Sequence, residues 1–171
     1  PGPTARHQSR RARLNSAKQH EAALYIGLMS GTSLDGVDAV IAEFPENRPP
    51  QLRGSHYLPY LPDLKARLLA LHTAQENELH LASTIALELA DLYANSVLAL
   101  LDKTGVGTNR IRAIGCHGQT IRHRPEAGYT LQLVNGARLA EKAGITSIVD
   151  FRSRDIAAGG QGAPLVPAFH A

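Results

Sequence analysis

The feature that most constrains the fold of this chain is a long segment, residues 78–103, in which apolar side chains recur at helical spacing. The apolar positions are Ile85, Leu89, Leu92, Tyr93, Val97, Leu100 and Leu101. Gly105 follows the segment, and glycine readily adopts the left-handed conformation that ends many helices. A helix of this length must bury its apolar stripe against another layer, which the flanking segments predict to be a sheet.

Three short segments before this helix have the composition of strands. Residues 24–29 are an apolar run of strand length, and residues 37–44 are again mostly apolar. The Gly- and Ser-containing stretch between them predicts a tight turn, so the second strand is expected to return antiparallel to the first. Residues 55–58 would add a third strand, and the leucine spacing of residues 62–71 predicts a helix.

The segments after the long helix complete an alternating pattern. Residues 111–116, 129–133 and 145–149 are predicted to be strands, and Asn135 is expected to cap a short helix that ends at Gly144. Three strands in hairpin order are thus followed by helix, strand, strand, helix and strand. This order predicts an α/β fold in which a mixed sheet is flanked by helices.

The net charge of +3 is concentrated in the first twenty residues, which contain five basic side chains and no acidic ones. Residues 21–171 therefore carry 13 Lys and Arg against 15 Asp and Glu. Aromatic residues make up only 5% of the chain and tryptophan is absent, so platforms for base stacking are few. We expect no nucleic-acid partner for the folded part, and we interpret residues 1–23 as a basic disordered extension.

Cysteine and hydropathy patterns indicate the compartment. A single cysteine, Cys116, excludes an intramolecular disulfide and a four-cysteine zinc site, which fits a reducing environment. Residues 1–20 lack the apolar core of a secretion signal, and no apolar run approaches the ~18 residues that a membrane span needs. The sequence thus predicts a soluble cytoplasmic protein without a membrane partner.

The turn between the first two strands contains the first candidate site. Its residues are Gly31, Thr32, Ser33, Leu34, Asp35, Gly36, Val37 and Asp38. The glycines allow backbone to approach a ligand closely, and free N–H groups beside two hydroxyls form a cradle for an anion. Asp35 and Asp38 could hold Mg²⁺ through water, which suits a polyphosphate. The alternative is a turn that merely closes a hairpin and binds nothing.

The second candidate site follows the strand at residues 111–116. Gln119 and Thr120 lie where open α/β sheets bind ligands, and both can hydrogen-bond the hydroxyl or amide groups of a sugar. The alternative is that His117 ties the loop together through its ring nitrogens. A nucleophilic pair of Cys116 and His117 is disfavoured, because neighbours in an extended strand point to opposite faces. We therefore expect Cys116 to be a buried apolar residue.

The third candidate site begins after the last predicted strand. Its charged residues are Asp150, Arg152, Arg154 and Asp155, and a segment with Gly159, Gly160 and Gly162 follows. These charges either form surface ion pairs of little energy or recognise an anionic substrate, since arginine binds carboxylates bidentately. A metal site formed by His117, His123 and Asp155 has no recognisable ligand spacing and is not expected.

Three motifs, in this order, resemble the anhydro-N-acetylmuramic acid kinase family. They are IGLMSGTSLDGVDA at residues 26–39, IGCHGQTIRH at residues 114–123 and DFRSRDIAAGGQGAPLVPAFH at residues 150–170. The resemblance extends from about Leu24 to the last residue. It implies a ribonuclease-H-like lobe of the sugar kinase, Hsp70 and actin ATPase superfamily, with the second lobe missing from this chain.

The resemblance also implies an activity in peptidoglycan recycling. A kinase of this family uses ATP and Mg²⁺ to open the 1,6-anhydro ring of its sugar with water and to phosphorylate O6. By position in the motifs, the turn from Gly31 to Asp38 would bind ATP, with Asp35 holding Mg²⁺ through water. The residues expected on the substrate side are Gln119, Thr120, Arg154 and Asp155. The resemblance further implies a small-molecule substrate and a possible homodimer of the full-length protein.

Two departures from the family pattern matter. Met29 stands where the wider superfamily usually has an aspartate, as the narrower family allows. The Gly-Phe-Asp-Cys-Gly-Pro-Gly type of segment that carries the family's general base does not occur in this sequence. We therefore interpret residues 24–171 as a truncated N-terminal lobe that holds no catalytic residue and does not turn over alone. The alternatives are a non-catalytic actin-like binding module and a kinase of another sugar.

Overall fold

The computed structural model describes residues 22–165, so nearly all of the expected N-terminal extension lies outside the described residues. The elements in chain order are β1 (Ala23–Met29), β2 (Gly36–Phe44), β3 (Gln51–Pro59), α1 (Pro62–Ala70), α2 (Glu78–Thr104), β4 (Ile111–Cys116), β5 (Gln119–Arg124), β6 (Tyr129–Leu133), α3 (Gly136–Ala143), β7 (Ser147–Ile148) and α4 (Phe151–Ala157). Single 3₁₀ turns lie at Thr108–Arg110 and Pro125–Ala127.

Five strands form one mixed sheet in the order β3-β2-β1-β4-β7. The pairs β1–β2 and β2–β3 are antiparallel, whereas β1–β4 and β4–β7 are parallel. A parallel pair needs a long crossover connection, and the segment containing α2 supplies it between β3 and β4. The predicted α/β fold with a mixed sheet is confirmed.

Helices α1, α2 and α3 cover one face of this sheet and form the core with it. In β1 the buried residues are Leu24, Ile26 and Leu28, which alternate with more exposed neighbours as a strand with one buried face requires. The predicted stripe of α2 is buried, including Leu89, Tyr93 and Val97, and Gly105 ends the helix at φ 68°. The helix therefore packs its apolar stripe on the sheet as the sequence predicts.

Helix α2 also meets the length and composition criteria for a membrane span, with a mean hydropathy of 1.4 over its 18-residue window. This differs from the sequence prediction, in which no apolar run approaches the length of a membrane span. Half of that window is buried inside the protein. Its hydropathy is accounted for by the core that it forms with the sheet.

The opposite face of the sheet carries a groove of about 610 Å³. Tyr25, Gly27, Val40 and Gly115 line it from the strands, and Phe151 at the start of α4 lies beside Gly115. Parallel strands are usually covered on both faces. Among residues 22–165, α4 is the helix that reaches this face.

The segment from residue 119 to residue 133 differs from the sequence prediction. Residues 119–124 form β5, which pairs with β6 in a separate two-stranded sheet, so β6 does not join the main sheet. The sequence of β5 is mostly polar and carries little strand signal. Its position is fixed instead by pairing and by an ion pair between Arg122 Nη2 and Glu78 Oε1 at 2.5 Å.

The segment after α3 also differs from the prediction. The last strand, β7, contains only two residues rather than the five expected. Asp150 follows with φ 65°, in the left-handed region, and turns the chain into helix α4. The sequence predicts no helix for this short, charged segment, because it lacks an apolar stripe of helical period.

Candidate functional site

The turn between β1 and β2 is a closed backbone turn with an exposed tip. Leu34 N donates a hydrogen bond to Gly31 O at 3.2 Å, while Thr32 and Ser33 are exposed. Leu34 has φ 56°, a conformation that costs a non-glycine residue about 1–3 kcal/mol. Its side chain is only 1% exposed, and burying a leucine contributes about 1.5–3 kcal/mol. Burial of Leu34 thus offsets the strain and holds the tip outward.

The far end of this turn is fixed by β3 and the residue that follows it. The carbonyl oxygen of Asp35 accepts hydrogen bonds from Tyr60 N and from the Tyr57 hydroxyl, each at 2.9 Å. Gly36 lies under β3, where a Cβ would come within 2.9 Å of Pro59 Cα. A side chain has no room here, so glycine is needed for the close approach of the two strands.

The Asp35 carboxylate points to solvent and pairs with Lys65 of α1, whose Nζ lies 3.1 Å from Oδ1. A hydrogen bond from the Ser33 side chain, followed by Lys65, holds the pKa of Asp35 below its usual value. The group is therefore ionised at neutral pH and able to hold a hydrated cation. Lys65 lies outside the predicted site, because it approaches the turn only in the folded chain.

The other predicted nucleotide-binding residues differ in accessibility. Gly36 and Val37 are buried, and Val37 belongs to the core beside Leu34. Asp38 is exposed and lies on β2 opposite Met29. Within residues 22–165, no three His, Cys, Asp or Glu side chains cluster as metal ligands. A magnesium ion at this turn would therefore rely on water and phosphate oxygens for most of its coordination.

A buried group of polar side chains lies beneath the turn. Ser30 Oγ donates to Gly118 O at 3.1 Å and lies 3.0 Å from the Tyr93 hydroxyl, which must be the donor because the serine proton is already used. Gln119 Nε2 donates to Gly31 O at 3.2 Å, and Tyr60 OH donates to Gln119 Oε1 at 3.4 Å. Gln119, predicted to contact substrate, is 0% exposed.

His117 has the structural role that the sequence left as an alternative. Arg152 Nε donates to its Nε2 at 2.7 Å, so the proton is on Nδ1, which donates to Gly118 O at 2.7 Å. Burial lowers the pKa of His117 and keeps the ring neutral. The residue thus joins the β4–β5 turn to α4.

The glycine-rich segment after α4 is folded back onto that helix. Arg152 Nη1 donates to Gly162 O at 2.5 Å, and Asp155 Oδ2 accepts from Gly162 N at 2.8 Å. A Cβ on Gly160 would overlap the Asp155 carboxylate. Asp155, predicted to be a substrate residue, therefore holds the segment in place through its carboxylate.

Two of the predicted substrate residues keep accessible polar groups. Thr120 is half-buried, and its Oγ1 accepts a hydrogen bond from Gln132 Nε2 at 3.3 Å. Arg154 is exposed, and its guanidinium pairs with no other group among the described residues. The substrate roles of these residues stay predictions.

Cys116 is buried, as expected. Burial raises the pKa of its thiol to about 12, so the thiolate is absent at neutral pH. A nucleophilic role for Cys116 is therefore unsupported.

A mixed sheet of this order, with a long crossover helix and a polar turn between its first two strands, defines an α/β lobe of the sugar kinase and actin-like ATPase class. Residues 23–171 match the model of one family, described as anhydro-N-acetylmuramic acid kinase. The chain belongs to the anhydro-N-acetylmuramic acid kinase family.

Curated relatives share more than half of the aligned residues. The chain is 60% identical over 158 residues to an anhydro-N-acetylmuramic acid kinase of Thiobacillus denitrificans, an alignment that covers 92% of this chain and 42% of the relative. Similar relatives of the same name are found in Nitrosospira multiformis, with 59% identity over 88% of this chain and 41% of the relative, and in Nitrosomonas europaea, with 57% identity over 85% and 40%. The chain thus spans about 40% of the length of these relatives.

Proposed function

We propose that this chain is part of an ATP-dependent anhydro-N-acetylmuramic acid kinase and that its β1–β2 turn binds the phosphates of ATP. Membership of the family and the name of its curated relatives support the activity. The exposed turn supports the site. In the described part of the chain, the backbone N–H groups of Thr32 and Ser33 donate to no other group and are free for an anion.

The turn fits a nucleotide triphosphate better than an uncharged ligand. It offers backbone donors and the Thr32 hydroxyl, and the Lys65 ammonium lies beside it. The ionised Asp35 carboxylate would repel a bare anion, but it suits a phosphate that carries Mg²⁺ held through water. When bound, Mg²⁺ would neutralise phosphate charge during transfer.

The proposed reaction joins a hydrolysis to a phosphoryl transfer. A water oxygen bonds to C1 of 1,6-anhydro-N-acetylmuramic acid as the bond from C1 to the bridging oxygen breaks. The released O6 takes the γ-phosphoryl group, so the products are N-acetylmuramic acid 6-phosphate, ADP and one proton. Because transfer of this kind depends on positioning and charge, the contribution of this chain is to hold the phosphates and one side of the sugar.

Thr120 and Arg154 are the proposed contacts on the sugar side. Arg154 is exposed and unpaired among the described residues, so it can pair with the acidic lactyl group of the substrate. Thr120 keeps a half-buried hydroxyl near the β4–β5 turn. We place the enzyme in the cytoplasm, where ATP and recycled cell-wall sugars meet.

The test is an ATP-dependent phosphorylation assay on the full-length protein with a panel of sugars. The proposal expects N-acetylmuramic acid 6-phosphate from the 1,6-anhydro sugar, and the 171-residue chain alone is expected to give none. Faster phosphorylation of an unrelated sugar would identify another sugar kinase. Absence of phosphorylation with ligand binding retained would favour a non-catalytic module.

A further inference from the structure

The side chain of Gln119 lies in the interior beneath the β1–β2 turn. It is 0% exposed, and both ends of its amide are used inside the protein. A buried amide without partners costs several kcal/mol, about 2–7, so these bonds are a requirement of its position. The amide of Gln119 thus contacts the β1–β2 turn, which is proposed to bind nucleotide.

We propose that Gln119 is a positioning residue that shapes the β1–β2 turn for phosphate. The inference rests on the proposed function and deepens it. Gly31 O, which accepts from Gln119 Nε2 at 3.2 Å, also accepts from Leu34 N at 3.2 Å in the bond that closes the turn. Two donors on the inner side thus fix the direction of this carbonyl.

The direction of the Gly31 carbonyl decides where the next amide points. In a trans peptide the C=O of Gly31 and the N–H of Thr32 lie in one plane and point in opposite directions. Because Gln119 holds the carbonyl towards the protein, the Thr32 N–H is aimed at solvent. That N–H is one of the donors proposed for the phosphates of ATP.

Tyr60 ties the amide of Gln119 to the other end of the turn. Its hydroxyl donates to Gln119 Oε1 at 3.4 Å, and its backbone N–H donates to Asp35 O at 2.9 Å. Tyr60 therefore orients the Gln119 amide through its hydroxyl and holds Asp35 through its backbone N–H. Gln119 and Tyr60 thus hold the two ends of the β1–β2 turn.

The experiment uses the full-length protein and separates nucleotide binding from sugar binding. Gln119→Leu removes the amide, and calorimetry with a non-hydrolysable ATP analogue measures the Kd. We expect the Kd to rise about tenfold, the effect of losing one well-placed hydrogen bond, while the KM for the sugar stays within about twofold. An unchanged Kd, or a raised sugar KM with an unchanged Kd, would overturn the inference.

A second variant and a matched control complete the design. Tyr60→Phe keeps the ring and loses only the hydroxyl, so it should raise the Kd by about threefold and decides the matter if Gln119→Leu does not fold. Gln75→Leu removes a glutamine bond to another backbone oxygen, Ala70 O at 2.8 Å at the far end of α1, and should leave the Kd unchanged. Failure of the unmodified protein to bind the analogue would count against the proposed function itself.

Discussion

Replacing Gly36 with alanine is expected to weaken the pairing of β2 with β3 and to lower the free energy of unfolding. Gly36 is buried and pairs with Pro59 at the start of β2. A Cβ at this position would overlap the carbonyl oxygen of Leu58 and lie 2.9 Å from Pro59 Cα. Both atoms are backbone atoms of β3, so relief requires a shift of the strand rather than a change of rotamer.

The magnitude follows from that clash. Overpacking a closely packed site costs about 1–3 kcal/mol, and a contact with backbone justifies about 2 kcal/mol. With a urea m-value of about 2 kcal/mol/M, the unfolding midpoint should fall by about 1 M. The same shift would move Tyr57 and Tyr60, which hold the Asp35 carbonyl, so weaker nucleotide binding by the full-length variant should accompany the loss of stability.

The assay is urea unfolding of the 171-residue chain followed by circular dichroism. Gly27→Ala is the matched control, because this strand glycine has only Val40 Cγ2 nearby, at 3.4 Å from the added Cβ. Its midpoint should stay within about 0.3 M of the unmodified chain. If Gly36→Ala behaved like Gly27→Ala, the argument from backbone overlap would be refuted.

Three further predictions concern single side chains. Asn135→Ala should lower the free energy of unfolding, measured in urea, by about 1 kcal/mol, because Asn135 Oδ1 accepts a hydrogen bond from Arg138 N at 2.8 Å at the start of α3. An unchanged free energy of unfolding would show that this cap does not stabilise the protein. Arg138 lowers the pKa of Asp91 to about 2, so the stability this pair contributes is present above pH 4 and lost as pH falls towards 2. Asp91→Asn should flatten that acid dependence, and an unaltered profile would contradict it. Asp35→Asn in the full-length protein should cut turnover sharply with an unchanged melting temperature, and normal turnover would remove Asp35 from the site.

Local patterns in the sequence predicted most of the elements. The stripe of α2 and the cap at Asn135 depend on residues close together in the chain, and both were found where expected. Strand β5 was missed, because its polar sequence becomes a strand only through pairing with β6. Helix α4 was missed for a related reason, since its charged residues form contacts with distant segments rather than an apolar stripe.

The exposed residues of the candidate site could be predicted from the sequence, whereas the residues that hold them in place could not. The Gly-Thr-Ser turn and Asp35 are adjacent in sequence, so their composition alone indicated an anion cradle. Lys65 contacts Asp35, which lies 30 residues earlier in the chain, and Tyr93 contacts Ser30, which lies 63 residues earlier. No local pattern in the sequence predicts such contacts. Resemblance to the family selected Gln119 by its motif but could not say whether its side chain faced a ligand or the interior.

The way the β1–β2 turn is held favours the proposed ligand-binding role over a turn that only closes a hairpin. Its first residue is held by Gln119 from β5, and its end at Asp35 is held by Tyr57 from β3 and by Tyr60. A turn that only closes a hairpin needs none of these bonds, because pairing of the strands already fixes it. Burying four polar side chains, Ser30, Tyr60, Tyr93 and Gln119, beneath it requires that each find a partner, at a desolvation cost that apolar side chains would avoid. A ligand that binds the exposed amides, as proposed above, would account for that cost, because its binding depends on the direction of the peptide units in the turn.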